Sequence, residues 1–222
     1  MSRLDAVVFD FDGTLAELTL DFDLMKTRIA ALGEVFLGER PVPGPTPALE
    51  WLDQLVARAM ELDRAEGLEF ASRGRLVIAA MELDAAREGR LFEFTRQTLA
   101  LLRERGVSIG VITRNISAAV RIVFPDIETE VGVFIARETA VRVKPDPAHL
   151  LQALERLGAD PARTLMVGDH PMDVQTGRGA GALCAAVTSG HQGAAAFASL
   201  RPDFIAPDVA ALLPRLMEAG LI

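Results

Sequence analysis

The stretch Val7–Thr14, VVFDFDGT, decides how the chain reads. It continues a short apolar run, AVVF (Ala6–Phe9), and closes on two carboxylates, Asp10 and Asp12, with Phe11 between them. Apolar residues without polar alternation are what a strand buried on both faces requires. Acids at the end of such a strand need a reason to be there. If the extended backbone continues past Phe9, residues two apart point to the same side, so Asp10 and Asp12 share a face. Gly13 then permits a sharp turn and lets a ligand approach the backbone closely. An Asp-Gly turn accounts for Asp12 but leaves Asp10 unexplained.

Outward from this stretch, similar apolar runs recur at Val107–Ile112, Gly132–Ala136, Thr164–Gly168 and Leu183–Val187, with a shorter one at Asp203–Ala206. Between them the spacing predicts helices over Glu93–Arg105, Ile116–Phe124 and Pro147–Leu157, the last with Asp146 as cap and Gly158 just past its end. Asp208 is expected to cap a final helix, which Pro214 would kink. Buried strands alternating with helices are the pattern of an α/β protein with a parallel sheet. Residues 15–91 interrupt it. Amphipathic patterns at Leu24–Leu37, Ala48–Leu62 and Gly74–Ala86 flank a loop, PVPGPTP (Pro41–Pro47), and no convincing strand occurs. The organisation expected is an α/β core built from 1–14 and 92–222, with an all-helical insertion over 15–91.

The 222 residues are half apolar and 24% charged, the composition of a globular chain with room for a full core. Charges break every apolar run before ~18 residues, so no membrane span is expected. The first residues lack a basic segment followed by a long apolar one, so no secretory signal is expected either. A lone cysteine, Cys184, fits a reducing cytoplasm. The net charge of −8 and the absence of a basic cluster argue against nucleic acid or an anionic membrane as partner. Of the 23 basic residues only two are lysines, Lys26 and Lys144.

In open parallel sheets ligands bind beyond the carboxyl ends of the strands. There the first run delivers Asp10, the second Thr113 and the fourth Asp169, followed by Asp173 in GDHPMD. Four converging carboxylates repel one another strongly. A hard divalent ion relieves this, and Mg²⁺ prefers a few carboxylates, waters and phosphate oxygens. Lys144, in VRVKPDP, is a compact point charge in a chain that otherwise prefers arginine, and an ammonium enters a crowded anionic site where a guanidinium is bulky. His170 beside Asp169 and Lys26 in the first inserted helix read more simply as solvated residues.

DFDGT (Asp10–Thr14), the strand-terminal Thr113, Lys144 before a proline, and GDHPMD (Gly168–Asp173) occur in the order of the four motifs of the haloacid dehalogenase-like phosphohydrolases. The chain resembles that family from Ala6 to Val187, and its insertion resembles the helical cap of the phosphoglycolate phosphatase and β-phosphoglucomutase branch. The resemblance implies a Rossmann-like core with strand order 3-2-1-4-5. It implies Asp10 as a nucleophile that becomes an aspartyl-phosphate, and Asp12 as proton donor and then acceptor, their pKa values pushed apart. Thr113 would bind a phosphoryl oxygen and Lys144 would neutralise charge. Mg²⁺ would be held by Asp10, the carbonyl of Asp12 and Asp169, with Asp173 close to the metal or orienting Lys144. Gly13, Thr14, Arg114 and Asn115 would face the substrate. The implied activity is Mg²⁺-dependent hydrolysis of a small phosphorylated metabolite, phosphoglycolate-like or sugar-phosphate-like, by a cytoplasmic monomer or homodimer. The nearest alternative is a phosphosugar mutase. A dehalogenase needs neither Asp12 nor a cation, a receiver domain carries its phosphorylated Asp on a later strand, and an inactive scaffold would not keep all four motifs.

Overall fold

The computed structural model describes residues 3–222. In chain order the strands are β1 (Ala6–Phe9), β2 (Ala16–Glu17), β3 (Arg90–Leu91), β4 (Ser108–Ile112), β5 (Val133–Ile135), β6 (Thr164–Gly168), β7 (Leu183–Val187) and β8 (Phe204–Ala206). The helices are α1 (Phe22–Leu37), α2 (Ala48–Leu62), α3 (Arg64–Glu88), α4 (Thr95–Glu104), α5 (Ser117–Val123), α6 (Ile127–Glu130), α7 (Ala148–Leu157), α8 (Pro171–Ala180) and α9 (Val209–Glu218).

Six strands form one parallel sheet in the order β5-β4-β1-β6-β7-β8. Numbered by the core strands alone, this is the expected 3-2-1-4-5 with the short Phe204–Ala206 strand added at the edge. β1 lies in the middle, Phe9 opposite Val111 on one side and Val167 on the other. All four of its residues are buried, which is why its sequence shows no alternation. Val8, Ile112, Ile135 and Met166 pack on one face against Leu150, Ala153 and Leu154 of α7. Burial of each large apolar side chain contributes roughly 1.5–3 kcal/mol. α7 begins one residue later than its sequence predicts; Asp146 Oδ1 accepts from the Ala148 amide at 2.9 Å, and Gly158 closes the other end in a left-handed conformation. α9 is capped by Asp208 and runs on through Pro214.

The chain divides into two compact units, one holding the residues up to Leu18 and Ala86–Ile222, the other Thr19–Ala85. The second has its own core, in which Ile29, Trp51, Leu52, Leu55, Phe70 and Ile78 are buried together. Two features differ from the sequence expectation. Residues 15–18 and 86–91 belong to the first unit, where β2 and β3 pair antiparallel, Ala16 opposite Leu91 and Glu17 opposite Arg90. Moreover, α3 starts ten residues before Gly74, at Arg64. Its glycines, poor helix formers, mark close approach to α2: a Cβ on Gly67 would stand 2.7 Å from the Met60 backbone nitrogen, and one on Gly74 2.5 Å from Leu52 Cδ1. Among the described residues no helix is long and apolar enough to cross a membrane.

Candidate active site

Three strand ends of the parallel sheet and the start of one helix supply the carboxylates and hydroxyl of the site. Asp10 follows β1 directly, its amide still bonded to the Val167 carbonyl at 2.8 Å, so the strand fixes where its side chain leaves the backbone. The chain then turns: the amides of Thr14, Leu15 and Ala16 all approach the Phe11 carbonyl, and Gly13 takes φ +74°. Thr113 follows β4, Asp169 follows β6, and Asp173 sits in the first turn of α8.

Lys144 lies at the centre. Its Nζ stands 2.6 Å from Asp10 Oδ1 and 2.6 Å from Asp173 Oδ1, and the side chain is 1% exposed. Asp10 Oδ1 also accepts from the Phe11 amide at 2.7 Å, which leaves Oδ2 without a hydrogen bond among the described residues. Asp173 is fully committed, because its Oδ2 accepts from the His170 amide at 2.9 Å. Burial works against the Lys144 ammonium, yet the charges of Asp10 and Asp173 hold its pKa above the ordinary lysine value. Oxygens of Asp10, Asp169 and Asp173 come within 4.8 Å of one another. Asp169 makes no ion pair among the described residues, and burial together with the charges of Asp10 and Asp173 pushes its carboxyl up to about 8. One buried ammonium thus faces three acids. The uncommitted oxygens, on Asp10 and Asp169, are hard donors that a small divalent cation fits.

Asp12 stands apart from this cluster. Its carboxylate accepts from Thr113 Oγ1 at 3.3 Å and from Asn115 Nδ2 at 3.2 Å, so Thr113 is turned toward Asp12 and Asn115 grips the same group. Thr113 is held in turn by the Asn115 amide at 3.0 Å. The expectation that Asp10 and Asp12 differ in pKa is not met by the protein groups alone. Burial raises both to about 6, with Asp10 adding to the shift of Asp12. The other expected residues divide. Arg114 is half-buried against Met172 Sδ at 3.3 Å. Thr14 is fully buried and its hydroxyl has no hydrogen-bond partner among the described residues. Lys26 donates to the Gly44 carbonyl within the helical unit.

The glycines of the site make room for carboxylates. A Cβ on Gly13 would lie 2.4 Å from Asp169 Oδ2, and one on Gly168 2.2 Å from Asp173 Cγ. Sequence reasoning missed the loop after β7. There Ser189 Oγ donates to the Gly13 carbonyl at 2.7 Å, and Gly190 lies so close to Asp169 that a Cβ would stand 1.8 Å from its Oδ2. The available signal was a Ser-Gly pair just past an apolar run on the same rim.

The profile of haloacid dehalogenase-like hydrolases matches residues 4–181. A phosphoglycolate phosphatase of Pseudomonas syringae pv. syringae is 30% identical over 96% of this chain and 79% of its own length. An N-acetylmuramic acid 6-phosphate phosphatase of Pseudomonas putida is 32% identical over 85% of each. The crystal structure of a hydrolase from Pseudomonas syringae superposes with a TM-score of 0.70 at 18% identity, covering 96% of this chain and 98% of that one, which supports the fold. With the matched profile spanning most of the sequence, the chain belongs to the haloacid dehalogenase-like hydrolase family.

Proposed function

We propose that the protein is a Mg²⁺-dependent cytoplasmic phosphatase that hydrolyses a small phosphomonoester, phosphoglycolate-like or sugar-phosphate-like, through an aspartyl-phosphate on Asp10. The observation that carries this reading is the buried Lys144 ammonium between Asp10 and Asp173, with the unpaired Asp169 beside them. Two donors on Oδ1 hold the Asp10 carboxylate in place for the bond it makes to phosphorus. As that bond forms, the ester P–O bond breaks and Asp12 gives its proton to the leaving oxygen. Asp12 then takes a proton from the water that attacks phosphorus. The bond to Asp10 breaks, and phosphate leaves. Thr113 and Asn115 hold Asp12 in place for both transfers.

Asp10, Asp169 and the Asp12 carbonyl would hold Mg²⁺, and Asp173 acts by anchoring Lys144. When bound, the cation supplies Lewis-acid neutralisation of the phosphoryl oxygens. Its charge beside Asp10 would lower that carboxyl and leave Asp12 the more readily protonated of the two. Little covalent work falls to the protein in phosphoryl transfer, so positioning and charge supply most of the acceleration. The named phosphatase relatives support hydrolysis over return of the phosphoryl group to a sugar hydroxyl.

Two experiments test this reading. A phosphate-release screen over phosphorylated metabolites, phosphoglycolate and sugar phosphates included, is expected to give turnover with Mg²⁺ and none with excess chelator. Turnover indifferent to chelator would remove the metal from the reading, and a panel with no release would remove the phosphatase. Second, Gly190→Ala must displace the Asp169 carboxylate while leaving the sheet intact. The Mg²⁺ concentration for half-maximal activity is expected to rise about tenfold or more. An unchanged metal titration would show that Asp169 is not the ligand.

A further inference from the structure

Lys144 is a buried side chain on an otherwise open loop. Val141 is 75% exposed, and Arg142 and Pro145 are also exposed. Two carboxylates hold the ammonium, but they do not determine where the backbone that carries it stands. Side chains of α7 anchor that backbone at two points, Gln152 Oε1 accepting from the Val141 amide at 2.9 Å and His149 acting at the lysine itself. The Lys144 amide donates to Nδ1 of His149 at 3.3 Å, and His149 is the second residue of α7, a helix packed against the sheet. The His149 backbone also belongs to the turn, its amide donating to the Asp146 carbonyl at 3.2 Å.

We propose that His149 is a positioning residue of the phosphatase site, holding the Lys144 amide on its Nδ1 so that the ammonium comes to rest between Asp10 and Asp173. The inference rests on the function proposed above. The ring is fully buried and, among the described residues, its Nε2 makes no hydrogen bond of ordinary geometry, so the Ile135 backbone offsets only part of the cost of burying it. An apolar side chain would fill the position without that cost, but would give the Lys144 amide nothing to bond. Nδ1 can accept only while it lacks a proton, so the neutral ring carries its hydrogen on Nε2. Burial first, then the Lys144 charge and that of Arg114, hold the imidazole down to about 3, while the Ile135 backbone works the other way. The ring is therefore a permanent acceptor over the range in which the enzyme would work.

Asparagine and glutamine separate positioning from packing. Asn places its amide oxygen near Nδ1, whereas Gln matches the ring's volume better but reaches toward Nε2. If His149 merely packs, His149→Gln should be the milder change. If it anchors Lys144, His149→Asn should be. With p-nitrophenyl phosphate and saturating Mg²⁺, His149→Asn is expected within about threefold of wild-type kcat and His149→Gln about tenfold to a hundredfold below it, KM moving little. Exchange of the Lys144 amide, followed by nuclear magnetic resonance on the full chain, should accelerate in the Gln variant and stay slow in the Asn variant. Gln equal to or better than Asn by both measures overturns the proposal. So do unchanged amide exchange in both variants and failure of both to fold, which would mark a structural role. Turnover surviving Asp10→Asn would instead strike the proposed function, and amide exchange would still judge the anchor.

Discussion

Asp10→Asn is expected to cut phosphate release by ~10⁴-fold or more, the scale on which loss of a covalent nucleophile is felt. The change is nearly isosteric. The Phe11 amide and Lys144 can still find an oxygen at the Oδ1 position, so the strand end keeps its shape. Stability should not fall in step. Asp10 has its carboxyl raised to about 6 by burial, ahead of the opposing pull of Lys144. A carboxyl whose folded pKa lies above its unfolded value favours folding at low pH and loses that contribution as pH rises through the folded value. At pH 7.5 the ionised group is therefore a burden that the neutral amide lacks, and the melting temperature of the variant should equal or exceed that of wild type. Activity and thermal unfolding measured on one preparation check both halves. Normal phosphate release from a folded variant would move the nucleophile elsewhere.

Lys144→Met is expected to do the opposite and damage the fold as well as the chemistry. Removing one member of a buried charge cluster leaves the others uncompensated, typically at a cost of ~3–5 kcal/mol. Here Asp10 and Asp173, each 2.6 Å from the ammonium, would face Asp169 with nothing positive between them. The loss should depend on pH in a definite sense. Asp10 and Asp12 already titrate near 6 and Asp169 near 8, and losing the ammonium moves all three further up. The folded variant then binds more protons than the unfolded chain, so its stability falls as pH rises. Urea unfolding without metal should find it far weaker than wild type at pH 8 and closer to wild type at pH 5.5. Equal stability at pH 8 would mean that the ammonium is not needed to hold the acids together.

The sheet and its acidic rim were legible because their signals are local. Ala6–Phe9, Thr164–Gly168 and Leu183–Val187 are short runs of almost wholly apolar residues, each followed by a polar one, and the observed strands match them residue for residue. Polar groups such as Asp10 and Asp169, standing where those runs stop, declare themselves. What escaped depends on distance in space. The β2–β3 pair has two residues in each strand, too few for any periodicity. The first turns of α3 were hidden by Gly67, whose lack of a side chain serves contact with α2, not flexibility. Asn115 looks like a loop residue until Asp12 is found 3.2 Å from its amide. Gly190 and His149 matter through Asp169 and Lys144, partners whose closeness exists only once the sheet has folded.

The short β2–β3 ribbon bears on how such a protein can be remade. Glu17 and Arg90 are cross-strand partners although 72 residues separate them, and their side chains meet at 2.6 Å. Opposed residues of an antiparallel pair have Cα atoms about 4.5–5.5 Å apart, a gap that a two-residue hairpin turn spans. Everything threaded between them therefore begins and ends at nearly one point. Segments of very different size can be exchanged, trimmed or recombined at that point without asking the rim of acids to adjust.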